Sequence, residues 1–429
     1  MKTLIDNGLI MSAEGKLTAG GIIMEGGTIT RAGSGVSRET EDYDEHIDGK
    51  GRWFLPGFVN THGHAGSTLL RGAGEELPLR QWLEQVMWPN EQKLDRDMVS
   101  AAQDLALAEM LRSGTTAFLD MYHLGIHDLA EKTSASGMRA VLGRGMIGFG
   151  GEAGWQERLD ASADFIDSWH EAAEGRIRTA VMPHAPYTCP PAFMEKAASL
   201  AVEKGVLFHT HCAETRQECR DHRREHGLHP VDHLHQLGIF QLDVLLAHAV
   251  HITEAHMQIL ADTGTGVSHN PSSNAKLGSG TAPIPEMMKA GVRTALGTDS
   301  TASNNTLDMV EEMRLAALIH KGRLEDPEAL PAADVFRMAT SGGSELLGFH
   351  QTGVIQAGME ADFIAVNPHS LHLTPNLDRA AAHTAYSLKS SDVEDVWVQG
   401  RRLMKNKELV TLDEERIRFN ADKQAAKLL

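Results

Sequence analysis

Residues 54–64 have the sequence Phe-Leu-Pro-Gly-Phe-Val-Asn-Thr-His-Gly-His, an apolar run that ends in two histidines. Such a run is typical of a buried strand, and residues two apart in a strand point to the same side. His62 and His64 therefore project together from a strand end, which suits two imidazoles on one metal ion. A His-x-His pair is common on surfaces, so this interpretation depends on what the rest of the chain brings to the same place.

Seven further apolar segments follow, and amphipathic helical stretches separate them. The predicted strands are Phe58–His62, Thr115–Met121, Arg139–Gly145, Ile177–Pro183, Val206–His211, Val244–Ala249, Thr265–His269 and Val292–Thr298. The predicted helices include Asp97–Arg112, Trp155–Glu174, Pro191–Glu203 and Thr253–Asp262. Eight strand–helix alternations favour a (β/α)8 TIM-type barrel. A doubly wound open sheet fits less well, because no Gly-x-Gly-x-x-Gly opens the first crossover.

The two chain ends differ from the middle, because both contain short strand-like segments separated by Gly-rich turns. This pattern is typical of hairpins. We predict that residues 1–57 and 350–429 pair into one small β-sandwich domain, whereas residues 58–349 form the barrel. A helix is predicted near the C-terminus, from Asp413 to Leu428.

The composition, with 41% hydrophobic and 23% charged residues, is that of an ordinary globular protein. The net charge of −18 argues against nucleic acid or an anionic membrane as a partner. Cys189, Cys212 and Cys219 show no spacing that predicts disulfides, which fits a reducing cytoplasm. We see neither a signal-peptide core nor an apolar run of about 18 residues that could span a bilayer. The oligomeric state stays open, with a homo-oligomer as one option.

Imidazole and carboxylate side chains collect at the C-terminal ends of the predicted strands, where (β/α)8 barrels carry their active groups. His184 ends strand four, His211 ends strand five, His248 ends strand six and Asp299 ends strand eight. Glu214 lies three residues beyond His211. Random placement would scatter such groups along the strands, so their position at one end predicts an active site.

Three imidazoles and one carboxylate suit Zn²⁺, with Fe²⁺ as an alternative. We expect one ion per subunit, because the middle of strand four, residues 179–182, has no Lys to bridge a second. The metal would lower the pKa of a bound water toward about 7. Asp299 could bind the metal and take up the water's proton, and His248 could hold the hydroxide or the developing tetrahedral centre. Glu214 could act as a proton shuttle.

Other histidines compete with this interpretation. His209 could take the ligand role of His211, but His211 lies nearer the strand end and Glu214. We expect His251 to be structural, and His269 to lie either beside the ligands or in the core. A solvated helix face without convergent geometry is expected for His222, His226, His229, His233 and His235.

Seven motifs carry a family resemblance: Pro56–His64, Leu69–Gly72, Trp82–Glu84, His211–Thr215, Ser273–Leu277, Gly297–Asp299 and Ala302–Asn305. Together they resemble the amidohydrolase superfamily and, within it, the 5-methylthioadenosine/S-adenosylhomocysteine deaminases. The resemblance extends from Leu55 to Gly348 and more weakly over both ends. Triazine and guanine hydrolases share much of this frame, so a guanine or triazine substrate is the alternative.

The resemblance implies a metal site and a catalytic apparatus. The implied metal ligands are His62, His64, His211 and Asp299. Glu214 would protonate the purine ring nitrogen next to the attacked carbon, while His248 and Asp299 would orient and deprotonate the water. The product would be an inosine-type nucleoside plus ammonia, formed from S-adenosylhomocysteine, 5-methylthioadenosine or adenosine. The non-enzyme alternative is a protein that binds the metal for structural reasons only. Such a protein would have no need for an acid at Glu214.

The resemblance also implies substrate contacts. Trp82 would pack near the nucleoside, Glu91 would accept hydrogen bonds from ribose hydroxyls, and His184 would contact the ribose or purine. Arg144 and Arg158 would meet the carboxylate of an S-homocysteine tail, because a guanidinium suits bidentate carboxylate recognition.

The chain departs from the family pattern at four positions. Gly63 stands where Thr or Met is more frequent, and Ser300 follows Asp299 where Gly is frequent. His123 and His127 follow strand two, at a rim where apolar or small residues are expected. The two rim histidines could alter substrate choice.

Overall fold

The protein is described by a computed structural model that covers residues 1–13, 15–36, 42–375 and 379–428. The first five strands lie near the N-terminus: β1 (Lys2–Met11), β2 (Leu17–Glu25), β3 (Thr28–Gly33), β4 (Glu45–Asp48) and β5 (Trp53–Pro56). Eight strands follow in the middle: β6 (Phe58–Asn60), β7 (Thr115–Tyr122), β8 (Arg139–Met146), β9 (Ile177–Pro183), β10 (Leu207–Cys212), β11 (Val244–His248), β12 (Gly266–His269) and β13 (Arg293–Leu296). The last four are β14 (Phe363–Val366), β15 (Val393–Val398), β16 (Arg401–Lys405) and β17 (Glu408–Leu409).

The helices lie mostly between the middle strands. They are α1 (Leu79–Trp82), α2 (Trp88–Glu91), α3 (Arg96–Arg112), α4 (Ile126–Ser136), α5 (Gly151–Trp169), α6 (Ala172–Gly175), α7 (Pro191–Lys204), α8 (Arg216–His226), α9 (Pro230–Gln236), α10 (Glu254–Thr263), α11 (Pro271–Lys276), α12 (Ile284–Lys289), α13 (Thr301–Asn304), α14 (Met309–Leu324), α15 (Ala332–Met338), α16 (Ser341–Leu346), α17 (Ala380–Tyr386) and α18 (Glu414–Ala425). Among these described helices, none is both long and apolar enough to cross a bilayer.

Strands β6–β13 pair in parallel and in chain order, which confirms the predicted barrel. The ring is closed between its first and last strands: the Thr61 N–H donates to the Leu296 carbonyl (2.9 Å), and the Asp299 N–H donates to the His62 carbonyl (2.9 Å). Almost every position of these strands is buried, because helices cover the outside and side chains fill the inside.

The predicted bounds of the barrel strands hold to within two residues; the eighth strand, for example, ends at Leu296 rather than Thr298. One predicted helix differs more. The helix predicted for Trp155–Glu174 ends at Trp169, because His170 is extended and Glu171 has a left-handed φ of 59°. The short segment α6 that follows is a turn, since Ala173 and Glu174 also have left-handed φ values of 53° and 60°.

The chain ends build one mixed sheet of nine strands among the described residues. Strand β5 joins the two ends, since it pairs in parallel with β1 and antiparallel with β14. The expected union of both termini is thus confirmed, and the expected sandwich is in detail one continuous sheet. The division into residues 1–57 with 350–429 and residues 58–349 stays a prediction.

A buried ion pair connects the barrel to this sheet. Arg139, at the start of β8, has its Nε 2.5 Å from Asp362 Oδ2 and its Nη2 3.0 Å from Asp362 Oδ1. Both side chains are 2% exposed, so neither charge is solvated by bulk water. Asp362 directly precedes β14, and the pair therefore holds the two sheets together.

The variant Arg139→Met should lower the free energy of unfolding by about 3–5 kcal/mol, because it leaves the Asp362 charge buried without a counterion. Urea denaturation measures the change. Arg96→Met is the matched control: its pair with Asp128 involves an Arg side chain that is 82% exposed, so the loss should stay below about 1 kcal/mol. Equal losses in both variants would contradict this role of the buried pair.

Candidate active site

Strained backbone positions mark the carboxyl ends of three barrel strands. His248 has a φ of 75°, Asp299 a φ of 62° and Ala213 a φ of 53°. Non-glycine residues rarely adopt this region, and such conformations cluster at functional sites. At these positions the backbone turns away from the strand axis, next to the histidine and carboxylate side chains of the candidate site.

Two histidines are oriented by backbone carbonyls. His64 Nδ1 lies 2.5 Å from the Met121 oxygen, and His211 Nδ1 lies 2.6 Å from the His184 oxygen. Because a carbonyl only accepts, Nδ1 carries the hydrogen in both rings and Nε2 keeps its lone pair. These contacts assign the tautomer that a metal ligand needs.

His62 is oriented by another histidine. Its Nδ1 lies 2.9 Å from His209 Nε2, and His209 Nδ1 lies 2.8 Å from the Leu245 carbonyl. That carbonyl fixes the hydrogen of His209 on Nδ1, so His209 Nε2 accepts from His62 Nδ1. His62 Nε2 is then a buried lone pair with no hydrogen-bond partner in the described part of the chain. Both nitrogens of His209 are engaged, which favours His211 over His209 as a ligand.

The donor atoms surround one point. Asp299 Oδ1 lies 3.4 Å from His62 Nε2 and 3.2 Å from His64 Nε2. Ligands of a tetrahedral zinc ion with bonds near 2.05 Å stand about 3.3 Å apart. Ring nitrogens of His62, His211 and His248 also lie within 4.8 Å of one another. A buried imidazole nitrogen needs a partner, and a cation among these atoms supplies it, so the residues fit a metal ion.

Asp299 is kept ionised by its surroundings. Its Oδ2 accepts hydrogen bonds from Ser273 (2.6 Å) and Ser303 (3.1 Å). Burial alone would raise the pKa of Asp299, whereas the two serine hydroxyls donate to the charged form and oppose that effect. The carboxylate is therefore available as a ligand and as a proton acceptor.

His248 differs from the other three imidazoles. Its Nδ1 lies 2.9 Å from Asn274 Nδ2 and 3.3 Å from Asn270 Nδ2. An amide NH2 group donates, so Nδ1 accepts and Nε2 carries the hydrogen. Burial lowers the pKa of His248 to about 3, and the ring stays neutral. The site therefore receives an N–H donor from His248, 3.6 Å from Glu214 Oε2.

Glu214 is buried, and its surroundings favour the protonated form. Burial, followed by the charge of Asp299, raises the pKa of Glu214 well above its usual range. Its Oε1 accepts a hydrogen bond from Ser279 Oγ (3.1 Å). A protonated carboxyl in this place can donate its proton.

The loop that presents Glu214 is held by a residue that the sequence analysis missed. The Glu218 carboxylate accepts the backbone N–H groups of Ala213 (2.9 Å), Glu214 (2.7 Å) and Thr215 (3.2 Å). Thr215 and Glu218 form a capping box at the start of α8. The spacing Thr215-x-x-Glu218 is the sequence signal that could have found it.

An open cavity of about 600 Å³ lies above these groups. The predicted site residues in its wall are His64, Trp82, Glu91, His184, His211, Glu214, His248 and Asp299. Further wall residues that the sequence analysis did not single out are Leu79, Met87, Trp88, Tyr122, Phe149 and Tyr187. A mostly apolar wall with a few polar groups is typical of a small-molecule site.

The two arginines lie outside this wall. Arg144 is half-buried on β8. The pKa of His123, a residue of the cavity wall, is lowered to about 4, first by burial of its ring and second by the charge of Arg144. Arg158 Nη1 donates to the carbonyls of Phe149 (2.9 Å) and Gly154 (2.6 Å). The structure thus brings Arg144 near the cavity, but Arg158 reaches the wall only through the Phe149 backbone.

The other histidines considered in the sequence analysis have separate environments. His127 accepts from Trp169 Nε1 (3.1 Å) and does not line the cavity, whereas His123 does. His251 Nε2 bonds to the Ser279 carbonyl (2.7 Å), beside the partner of Glu214. His269 is a core residue, since its Nε2 pairs with His320 Nε2 at 3.2 Å.

Comparison with known families decides the lineage of this site. The amidohydrolase family profile matches residues 53–403, which is most of the chain and includes every candidate site residue. The chain belongs to the amidohydrolase family. As in the sequence-based expectation, this amidohydrolase combines an eight-stranded barrel with a sheet from both termini.

Individual relatives agree over nearly the whole length. A 5-methylthioadenosine/S-adenosylhomocysteine deaminase of Halalkalibacterium halodurans is 49% identical to this amidohydrolase over 399 residues, covering 92% of this chain and 91% of the relative. The structure of an adenosine deaminase from Xanthomonas campestris with bound zinc superposes with a TM-score of 0.94 at 32% identity, covering 99% and 98%. An atrazine chlorohydrolase from Arthrobacter aurescens complexed with zinc gives a TM-score of 0.91 at 26% identity, covering 99% and 100%.

The variant His209→Gln should weaken zinc binding by about 10–100-fold, because the hydrogen bond that orients His62 is lost or displaced. Zinc retention during competition with a chelator measures the effect. His269→Gln is the matched control: His269 is equally buried but pairs with His320 instead of a ligand, so the affinity should stay the same. An unchanged affinity of His209→Gln would show that His62 needs no such orientation.

Proposed function

We propose that this amidohydrolase is a zinc-dependent hydrolytic deaminase of an adenosine-type nucleoside. Its substrates are S-adenosylhomocysteine, 5-methylthioadenosine and adenosine, and its products are the inosine-type nucleoside and ammonia. One zinc ion per subunit is held by His62, His64, His211 and Asp299. The observation that carries the proposal is the position of Glu214, a buried carboxyl with a raised pKa, in the wall of the same cavity as this donor set.

When bound, a zinc ion here lowers the pKa of a water molecule and stabilises negative charge that develops on oxygen. Asp299, which is ionised, accepts a proton from the attacking water at a carboxylate oxygen. Ser273 and Ser303 hold its other oxygen, so the acceptor is fixed in direction. His248 donates its Nε2 hydrogen to the oxygen that adds to the ring carbon, in keeping with its neutral form.

Glu214 supplies the other half of the proton transfer. It gives its proton to the ring nitrogen next to the amine-bearing carbon, which makes that carbon more electrophilic. The proton held by Asp299 then passes to the amine nitrogen, and the C–N bond breaks to release ammonia. As the ring carbonyl forms, the added hydroxyl loses its remaining proton to the Asp299 carboxylate, and proton exchange with solvent restores Asp299 to its ionised form and Glu214 to its protonated form. The two carboxyl groups thus begin the reaction in opposite protonation states.

The cavity suits a nucleoside in size and in lining. Its volume of about 600 Å³ accommodates a purine nucleoside with a short 5′ substituent. Trp82 offers an aromatic face, and Glu91, whose Oε1 accepts from the Tyr122 hydroxyl (2.9 Å), offers acceptors for ribose hydroxyls. His184 is neutral, since burial lowers its pKa to about 3, and it contacts the ribose or purine. Arg144 is assigned to the carboxylate of the S-homocysteine tail.

A second candidate keeps the chemistry and changes the ring. The likeness to an atrazine chlorohydrolase supports hydrolysis of a triazine, and a guanine substrate would use the same donor set. A neutral flat ring has no carboxylate for Arg144 to bind. Substrate preference therefore separates the two candidates.

The test is turnover of zinc-reconstituted protein on S-adenosylhomocysteine, 5-methylthioadenosine, adenosine, guanine and a chlorotriazine, followed by ultraviolet absorbance and ammonia release. Preference for the first two substrates is expected. Activity on guanine or the triazine alone would replace the nucleoside assignment with the second candidate. Inactivity on all five with zinc bound would overturn both.

The variant Glu214→Gln should lose about 10²–10⁴-fold in kcat with its zinc content unchanged, because the amide cannot deliver a proton. Glu203→Gln is the control, since the Glu203 side chain is 71% exposed. Because the protonated form of Glu214 is active, wild-type kcat should fall as pH rises through the raised pKa of this residue. Full turnover of Glu214→Gln would remove Glu214 from the mechanism.

The variant Arg144→Met should lower kcat/KM for S-adenosylhomocysteine at least about tenfold more than for 5-methylthioadenosine, since only the former carries the carboxylate. Arg158→Met provides the comparison: its guanidinium is bound to backbone carbonyls, so it should affect both substrates alike. Steady-state kinetics on both substrates measure the ratio. A selective loss in Arg158→Met instead would reverse the assignment.

A further inference from the structure

Three imidazoles converge outside the active site, on the helix pair that follows Glu214. His222 and His226 lie four residues apart on α8 and share one face, and His233 on α9 packs against them. The three ring centroids are 4.5, 4.9 and 5.0 Å apart. Candidate ligand nitrogens of all three rings lie within 4.8 Å of one another. The expectation of a helix face without convergent geometry was wrong for these three residues.

We infer that His222, His226 and His233 form a second metal site, which binds a divalent ion of the zinc class and connects α8 to α9. Imidazole nitrogen is a good ligand for Zn²⁺, Cu²⁺ and Ni²⁺. The site goes beyond the proposed deaminase activity and does not depend on it. Hereafter it is called the helix-pair site.

The nitrogens of the helix-pair site are close enough to share one ion. His222 Nε2 lies 2.9 Å from His233 Nδ1, which is a hydrogen-bond distance. Ligands of a tetrahedral zinc ion stand about 3.3 Å apart, so a shift of a few tenths of an ångström would let an ion replace the shared hydrogen. The His226 side chain makes no hydrogen bond within the described residues, although its ring lies beside the other two. Its nitrogens therefore retain lone-pair capacity for a third bond.

Two of the three rings are at least partly shielded from water, and two carboxylates lie near the cluster. Burial, followed by the neighbouring imidazoles, lowers the pKa of His222 to about 3, and burial lowers that of His233, so both rings are neutral at pH 7. Glu225 Oε1 lies 3.8 Å from His226 Nε2, and the charge of Glu195 on α7 acts on His233. His226 and His233 are partly exposed, which gives an ion an entry path.

A neighbouring histidine pair shows what a purely structural arrangement looks like. His229 Nδ1 accepts from the Val231 N–H (3.3 Å), and its Nε2 bonds to the His251 carbonyl (2.9 Å). His256 Nδ1 accepts from the Thr253 N–H (3.0 Å), and its Nε2 faces Asp232 Oδ2 at 3.4 Å. All four ring nitrogens are engaged in capping and pairing, so no lone pair is left for an ion.

An ion in the helix-pair site would fix the position of α8. The first turn of that helix contains Glu218, which holds the backbone of Glu214. The two helices are joined through Gly227, whose φ of 75° reverses the chain. The ion would therefore act as a cross-link between α8 and α9. Its direct effect would be on the stability of the fold and not on the chemical step.

The test begins with holoenzyme whose active-site ion is in place. Zn²⁺ is added, weakly bound metal is removed by gel filtration, and zinc per chain is counted by mass spectrometry. Wild type should hold one more ion per chain than His226→Gln, with at least about tenfold tighter affinity for that ion. Added Zn²⁺ should raise the melting temperature of wild type and not that of the variant. His235→Gln, an exposed position on α9 outside the cluster, should behave like wild type.

Equal zinc counts in wild type and His226→Gln would overturn the proposal. So would an extra ion that is lost in His256→Gln and retained in His226→Gln, since that result would move the site to the neighbouring pair. The His226 side chain makes no hydrogen bond within the described residues, so His226→Gln removes none from the folded protein. In the presence of a chelator the melting temperature of this variant should therefore equal that of wild type. The double variant His222→Gln/His233→Gln, measured in the same way, should also lack the extra ion. Deaminase turnover is not the readout, so failure of the deaminase assignment leaves this test intact.

Discussion

The convergence of three imidazole lone pairs and one carboxylate oxygen in a buried place is the constraint on which the rest of the site depends. Lone pairs that face one another repel and are costly when removed from water. Hydrogen bonds at the far side of each ring hold His62, His64 and His211 in this orientation. A cation at the centre turns this unfavourable arrangement into a stable one, and the strand ends supply the rigidity.

Two carboxyl groups of one cavity are driven to opposite protonation states. Asp299 accepts hydrogen bonds from two serine hydroxyls, so its charge is stabilised. Glu214 is equally buried, has one hydroxyl partner, and experiences the negative charge of Asp299. Environment rather than residue type therefore makes one group an acceptor and the other a donor. His248 stays a neutral donor between them.

The sequence was sufficient for the barrel and for most of the candidate site, because strand ends are readable from apolar runs and the polar groups follow directly. His62, His211 and Asp299 were located in this way. It was insufficient where long-range packing decides. The cavity wall from Leu79 to Trp88 lies in a segment without clear periodicity, and Arg158 is bound by carbonyls of its own loop. The helix-pair site depends on how the turn at Gly227 sets α9 against α8, which a one-dimensional pattern does not contain.

The closure of the barrel has a further consequence. The first and last strands meet where His62 and Asp299 exchange a backbone hydrogen bond, and Gly63 bridges to Asp299 beside it. The proposed ligands of one ion thus lie on the first and the last strand of the barrel, in segments far apart in the chain. An ion bound by them would connect the first strand to the last, and its binding free energy would offset the entropy of closing a long loop. With the proposed ligands, removal of the metal would weaken the closure of the barrel as well as the catalytic activity.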